Sequence, residues 1–171
     1  LSINYHINKE LSIFVLALLT SYLLLIPYHQ WQADLAFNKG KQYLAANYLK
    51  QSLENLQRAT QISPNEPLFW SVLAEGQAVG AYSVRQQLET QAASLSAEQK
   101  KSGEKLKNDL MQAAEENAAK AISQNPSHTN FYKQKAKTEL YLATIDAKYD
   151  QIARETLITL AEHSPTDAKV I

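Results

Sequence analysis

Leu11 to Pro27 carries no charge and is dominated by leucine, and within a few residues it runs into a segment whose small and bulky side chains recur at a period of 34. Counting Ala33 as the first position, Gly40 falls at 8, Tyr43 at 11, Ser52 at 20, Leu56 at 24, Ala59 at 27 and Pro64 at 32. The next unit restarts in phase from Pro67, with Trp70 at 4, Leu73 at 7 and Ala74 at 8. A chain built this way must bury one face of each short helix against its neighbours while finding a separate environment for the greasy stretch.

That stretch has no Asp, Glu, Lys or Arg between Glu10 and Asp34, and Leu11 to Tyr28 holds eleven Leu, Ile, Val or Phe residues. Transfer of these residues into a bilayer contributes roughly −3 to −7 kcal/mol, against a cost of about 2.5–3.5 for one central charge. The apolar core spans roughly 25 Å of a hydrocarbon layer about 30 Å thick. Tyr28, His29 and Trp31 complete the span by sitting at headgroup level. We therefore expect a transmembrane helix over residues 11–31, with 1–10 as the end of an upstream region. A cleaved signal peptide and a buried core helix are the alternatives; the first lacks a small-x-small cleavage pattern, and the second calls for a stripe rather than apolar residues all round. Lys9 on one side competes with Lys39 and Lys41 on the other, so charge leaves the orientation open.

Gly and Pro are scarce, at 4 and 5, while helix-forming Ala, Leu, Gln, Lys and Glu dominate, so the chain reads as all-α. Lys and Arg total 17 and so do Asp and Glu, which gives no electrostatic bias toward nucleic acid. With no cysteine there is neither a disulfide framework nor a thiolate metal site. The first residue is Leu1, and Asp167 to Ile171 follow Ser164-Pro165 as a new helix would, so the chain reads as a segment of a longer protein.

The spacing of Gly40, Tyr43, Ala59 and Pro64, continued by Trp70 and Ala74, resembles that of tetratricopeptide (TPR) repeats. The fold this implies is an α-solenoid of helical hairpins over 33–171. In the first unit, 33–66, helix A runs from about Ala33 to Ala46, Asn47 turns the chain, helix B runs from about Tyr48 to Ile62, and Ser63-Pro64-Asn65 ends it. Gly40, Ser52 and Ala59 remove bulk where hairpins approach, and Tyr43 and Leu56 fill what remains. Ala36 and Lys39 depart from the bulky apolar residues usual in the family.

The second unit, 67–128, brings Ala114, Ala118, Ala121 and Pro126 28 positions late, which implies an extended hairpin inserted over roughly Tyr82 to Lys107. Ser94-Leu95-Ser96 breaks it, Ser96 and Gln99 form a capping-box pattern, and Ser102-Gly103 weakens the returning helix. The third unit, 129–167, has Tyr132 and Ala136 in phase, a loop about five residues longer, Asp146 as a cap, then Ala153, Leu157, Leu160 and Pro165. Residues 168–171 start a further helix.

Chemistry is not written into the chain. His6, His29, His128 and His163 are scattered without a second ligand at helical spacing, the four glycines are isolated, and no hydrolase nucleophile motif occurs. Gly76 and Gly80, one turn apart, suit close packing within the array. We expect no catalytic residue, no metal and no cofactor. The TPR resemblance implies instead a concave groove lined by the inner helices, and by position it selects Phe37, Lys41, Ser71, Glu75, Lys133 and Lys137. Such a groove would hold a protein or peptide partner, with the bilayer contacted through 11–31.

Tyr28-His29-Gln30-Trp31-Gln32-Ala33-Asp34, Asn65-Glu66-Pro67-Leu68-Phe69-Trp70, Asn130-Phe131-Tyr132-Lys133 and Ala143-Thr144-Ile145-Asp146-Ala147-Lys148-Tyr149 look like the C-terminal tail of bacterial O-antigen ligase-type membrane proteins. That resemblance implies a location at the bacterial inner (cytoplasmic) membrane, with the repeats outside the cytoplasm, behind a glycan ligase or polymerase core. The expected function is a membrane-tethered, non-catalytic interaction module. The alternatives are a direct role in holding glycan or acceptor, and a stand-alone single-pass assembly factor.

Overall fold

The computed structural model describes residues 9–163, all in helices and short connections, with six helices among them. Pro165, the expected helix start at 168–171 and most of the upstream segment 1–10 lie outside the described residues.

Helix α1 runs without interruption from Lys9 to Ala45, 37 residues, with Pro27 inside it. The sequence suggested a span followed by a separate helix A from about Ala33; a single rod provides both. Two burial patterns divide it. From Leu11 to Trp31 every side chain is exposed, and the apolar window is unburied at a mean hydropathy of 2.1. From Ala33 onward Ala33, Ala36, Phe37 and Gly40 are buried, a one-sided helical stripe. Nothing between Gln32 and Asp34 breaks a helix, so the seam changes environment without changing conformation. The apolar half is long and apolar enough to cross a membrane, and none of it is buried within the chain. Thr20 Oγ1 donates to the carbonyls of Leu16 and Ala17, at 2.9 and 3.0 Å, which satisfies its hydroxyl without water.

The chain then turns at Asn47, the one non-glycine residue with positive φ (61°) among those described, and returns as α2, Leu49–Ile62. Asparagine tolerates this left-handed conformation better than most side chains. Helix α3, Pro67–Thr90, begins with its proline where a missing N–H costs nothing. Helix α4, Ala97–Gln124, opens on a complete capping box: Ser96 Oγ accepts from the Gln99 amide, and Gln99 Oε1 accepts from the Ser96 amide. At 24 and 28 residues these helices far outreach the 14 of α2, so the insertion is an extended hairpin. Its break covers 91–96, slightly wider than expected. Gly103 does not break α4; Leu88 of α3 packs against it.

Helices α5, Thr129–Ala143, and α6, Lys148–His163, complete the third hairpin. The five extra residues expected in its loop went mostly into longer helices, leaving a short connection at 144–147. Asp146 Oδ1 accepts from the Lys148 amide at 3.1 Å, as a cap should.

Consecutive helices pack as antiparallel pairs, and α3 sits at the centre, touching α1, α2, α4 and α5. One core joins the first and second hairpins through Ala33, Phe37, Leu56, Ala59, Phe69 and Leu73. The other joins the second and third through Ala78, Ala81, Met111, Ala114, Leu142 and Tyr149. Leu56 is fully buried between α1 and α3: a Cβ on Gly40 would meet its Cγ at 2.6 Å, and one on Gly76 its Cδ1 at 3.4 Å. Ser52 Oγ donates to the Gly40 carbonyl at 2.9 Å, closing the same junction. Ala74, Ala121 and Ala136 are buried where neighbouring helices meet, at 0, 1 and 2 % exposure. Tyr43 corrects the expectation: at 37 % exposure it fills no interior volume and sits edge-on to Tyr48 at the turn.

The repeat is visible in its hydrogen bonds as well. Trp70 Nε1 donates to the Pro64 carbonyl at 2.7 Å, and Tyr132 Oη donates to the Pro126 carbonyl at 3.1 Å. In both units the aromatic residue of the inner helix locks onto the proline that closed the previous hairpin.

Candidate groove along the inner helices

The first helix of each hairpin faces one side of the array, and there α1 and α3 touch only marginally. A groove of about 400 Å³ lies over this gap. Lys41 and Leu44 come from α1, Val72, Glu75 and Val79 from α3, and Gln134 and Tyr141 from α5. The lining is thus aliphatic along the middle, with charged and polar groups at its margins.

Of the six residues selected by position, the structure brings three to this face. Glu75 Oε1 accepts from Lys137 Nζ at 2.6 Å, linking α3 to α5 across 62 positions of sequence. That hydrogen bond, aided by the carboxylate's charge, pushes the Lys137 ammonium above the ordinary lysine range. Lys41 lies 5.4 Å from the centre of the Phe37 ring, a weak cation–π contact that leaves its head at the groove margin. Lys133 lines a neighbouring depression of about 490 Å³, with Glu66, Leu68 and Gln134.

Phe37 and Ser71 are corrections. Phe37 is only 6 % exposed and stacks on Phe69 with ring centres 4.6 Å apart, so it is core and not groove wall. Ser71 is 3 % exposed, so it too is buried and not part of the groove lining.

Position counting missed Leu44, Val72, Val79 and Tyr141. A signal for them existed: Val72, Glu75 and Val79 follow at three- and four-residue steps along α3, and Tyr141 lies one turn beyond Lys137.

Among the described residues no group of three or more His, Asp or Glu side chains could hold a metal ion. The arrangement offers recognition surfaces: the Lys41 ammonium, which forms no ion pair among the described residues, a neutralised Glu75–Lys137 pair, and aliphatic floor between them.

No protein-family profile and no curated relative matches the chain. Among solved structures it is similar to the "First TPR of Spaghetti (RPAP3) bound to HSP90 peptide SRMEEVD", with a TM-score of 0.52 over 82 % of this chain and 88 % of that one. The fold is a TPR-like solenoid. Sequence identity to that structure is 13 %, so the likeness is one of architecture, produced here by a different set of side chains.

Burial raises the pKa of the Tyr149 phenol, with the Glu115 carboxylate that its hydroxyl touches at 3.2 Å adding to the effect. Lys137 and Tyr149 therefore act alike. A pKa raised in the fold gives stability that is complete below the free group's pKa and is lost as pH rises through the folded value. We expect thermal stability to vary little through Lys137 and Tyr149 between about pH 7 and 9 and to fall above about pH 10. Lys137→Met should reduce that alkaline loss while costing under about 1 kcal/mol at neutral pH, because the ion pair is half exposed. Melting curves across this range of pH read both effects.

Proposed function

We propose that this chain is a membrane-tethered docking module that holds an extended peptide of a partner protein along the groove of its inner helices. The observation that carries the reading is that α1 is unburied and apolar over its first half and contributes Lys41 and Leu44 to the groove with its second. The anchor and the docking surface are parts of one continuous helix. The similar solenoid bound to an HSP90 peptide supports peptide binding as a use of this architecture.

The chemistry favours a peptide with an acidic group near Lys41 and aliphatic side chains against Leu44, Val72 and Val79. A charge-assisted hydrogen bond there contributes about 1.5–3 kcal/mol. In keeping with the O-antigen ligase resemblance, we place the module as the tail of a larger envelope glycan ligase or polymerase, outside the cytoplasm. It would bring a partner to that enzyme without taking part in transfer.

The test uses the chain in lipid nanodiscs and a panel of fluorescent heptapeptides, each acidic peptide matched with its Glu→Gln form. Acidic, aliphatic-rich peptides should bind better than their amide counterparts, and Lys41→Glu should weaken them by about tenfold, the equivalent of 1.4 kcal/mol. Equal binding by the matched pairs, or affinity untouched by Lys41→Glu, defeats the peptide reading. Binding of oligosaccharide in place of peptide would favour the glycan-holding alternative.

A further inference from the structure

The apolar half of α1 leaves the array at one edge, and that edge is built from the connections between hairpins. Helices α2 and α4 end there, and α3 and α5 begin there, because each hairpin is antiparallel. Tyr28, His29 and Trp31 cluster at the same place: Tyr28 is 6.3 Å from the His29 ring and 6.1 Å from that of Trp31, centre to centre. This aromatic group lies on the array side of Pro27, so a bend at the proline would not separate it from the repeats.

One contact ties the edge to this stretch of α1. Ser63 Oγ, in the connection between α2 and α3, donates to Gln30 Oε1 at 3.3 Å. The next carbonyl along, that of Pro64, accepts from Trp70 Nε1 and also from Gln124 Nε2 at 2.8 Å, which draws the end of α4 to the same level. Lys120, one turn back on α4, holds its ammonium 3.5 Å from the centre of the Trp70 ring. The two connections read Ser63-Pro64-Asn65-Glu66 and Asn125-Pro126-Ser127-His128, polar, with the Glu66 carboxylate as their one acidic group.

We propose that this edge rests on the phospholipid headgroups, so that the solenoid stands on the bilayer with its inter-hairpin connections down and the long α3–α4 hairpin pointing away. The inference rests on the tether reading above. Tyrosine and tryptophan settle at the headgroup level of a bilayer, and the connection bound to Gln30, between Tyr28 and Trp31, is held at that depth. Polar connections lose little by exchanging bulk water for a hydrated headgroup layer, in which the Glu66 carboxylate stays solvated, and the Lys120 ammonium over the Trp70 ring would face the lipid phosphates. Along the 24 residues of α3, at 1.5 Å each, the hairpin tip is then held roughly 36 Å from the surface.

The chain contains no cysteine, so single labels can be placed without removing any. The experiment uses the full chain with Asn65→Cys, Ser127→Cys, Ser94→Cys or Leu19→Cys, labelled with an environment-sensitive fluorophore. Each is reconstituted in phosphatidylcholine vesicles containing a headgroup nitroxide lipid or an acyl-chain nitroxide lipid. Headgroup quenching should be at least about threefold stronger at Asn65 than at Ser94, with Ser127 between them, while the Leu19 label responds to the acyl-chain quencher. Equal quenching at Asn65 and Ser94, with Leu19 still in the acyl region, would overturn the standing orientation and leave the tether intact. A Leu19 label that neither quencher reaches would overturn both.

Discussion

Leu56→Ala is expected to cost about 3–5 kcal/mol, the upper range for truncating a buried leucine. Its side chain is fully buried between α1 and α3, so its loss opens a void at the junction of two hairpins. Natural domains are stable by only about 5–15 kcal/mol. Gly40 probes the same junction from the other side. An added Cβ would stand 2.6 and 2.8 Å from Leu56 side-chain carbons and 3.0 Å from its backbone nitrogen, which cannot swing away. Gly40→Ala should therefore cost about 1–3 kcal/mol by overpacking. Gly80→Ala serves as the control, since its Cβ would meet its neighbours at 3.5 and 3.6 Å and the helix gains about 0.5–1 kcal/mol from losing a glycine. Denaturant melts of the three variants and of the Gly40→Ala/Leu56→Ala pair should show the double mutant less destabilised than the two single losses added together. Strict additivity would mean that the two residues do not share a junction.

Arginine at both Leu16 and Leu23 is expected to abolish membrane integration. Each central charge costs about 2.5–3.5 kcal/mol, so the pair offsets the roughly −3 to −7 supplied by the apolar stretch, while a single arginine leaves partial insertion. The repeats should be indifferent to both changes, because neither leucine is buried in the chain and the core begins at Ala33. Carbonate extraction and vesicle flotation measure the first effect; the melting temperature of the array measures the second. Continued integration, or a melting temperature that falls with it, would make the apolar half of α1 part of the protein's own interior.

How much of this was legible in the chain varies from residue to residue, for local reasons. Asn47, Pro67 and the Ser96–Gln99 box act within a few residues of themselves, so their turn, helix start and cap could be read directly. Gly40, Ser52 and Ala59 were readable because two hairpins can nest only where bulk is absent, a constraint imposed at fixed spacing. The continuity of α1 was not. A helix does not announce a change of solvent, and Gln32-Ala33-Asp34 suits the helical conformation in either one. Phe37 was misplaced because its burial depends on stacking against Phe69, 32 positions away, whose depth the repeat spacing did not reveal. The Glu75–Lys137 pair joins the ninth residues of two neighbouring inner helices, and spacing alone does not say that their side chains meet. Groove walls suffer most: they depend on which face the lengthened helices present, whereas the core is dictated by apolar periodicity.

The single-rod nature of α1 underlies both the tether and the docking surface, and a cross-link in membranes tests it most directly. Gln30→Cys and Ser63→Cys, introduced together, place thiols on side chains that touch at the start of the array. In the vesicle-integrated chain a short bismaleimide should join them within the molecule, while a Gln30→Cys/Ser94→Cys control, with its second thiol on the far tip of the hairpin, stays open. Cross-linking of the integrated protein no greater than this control would show that the lipid-embedded helix does not continue into the repeats.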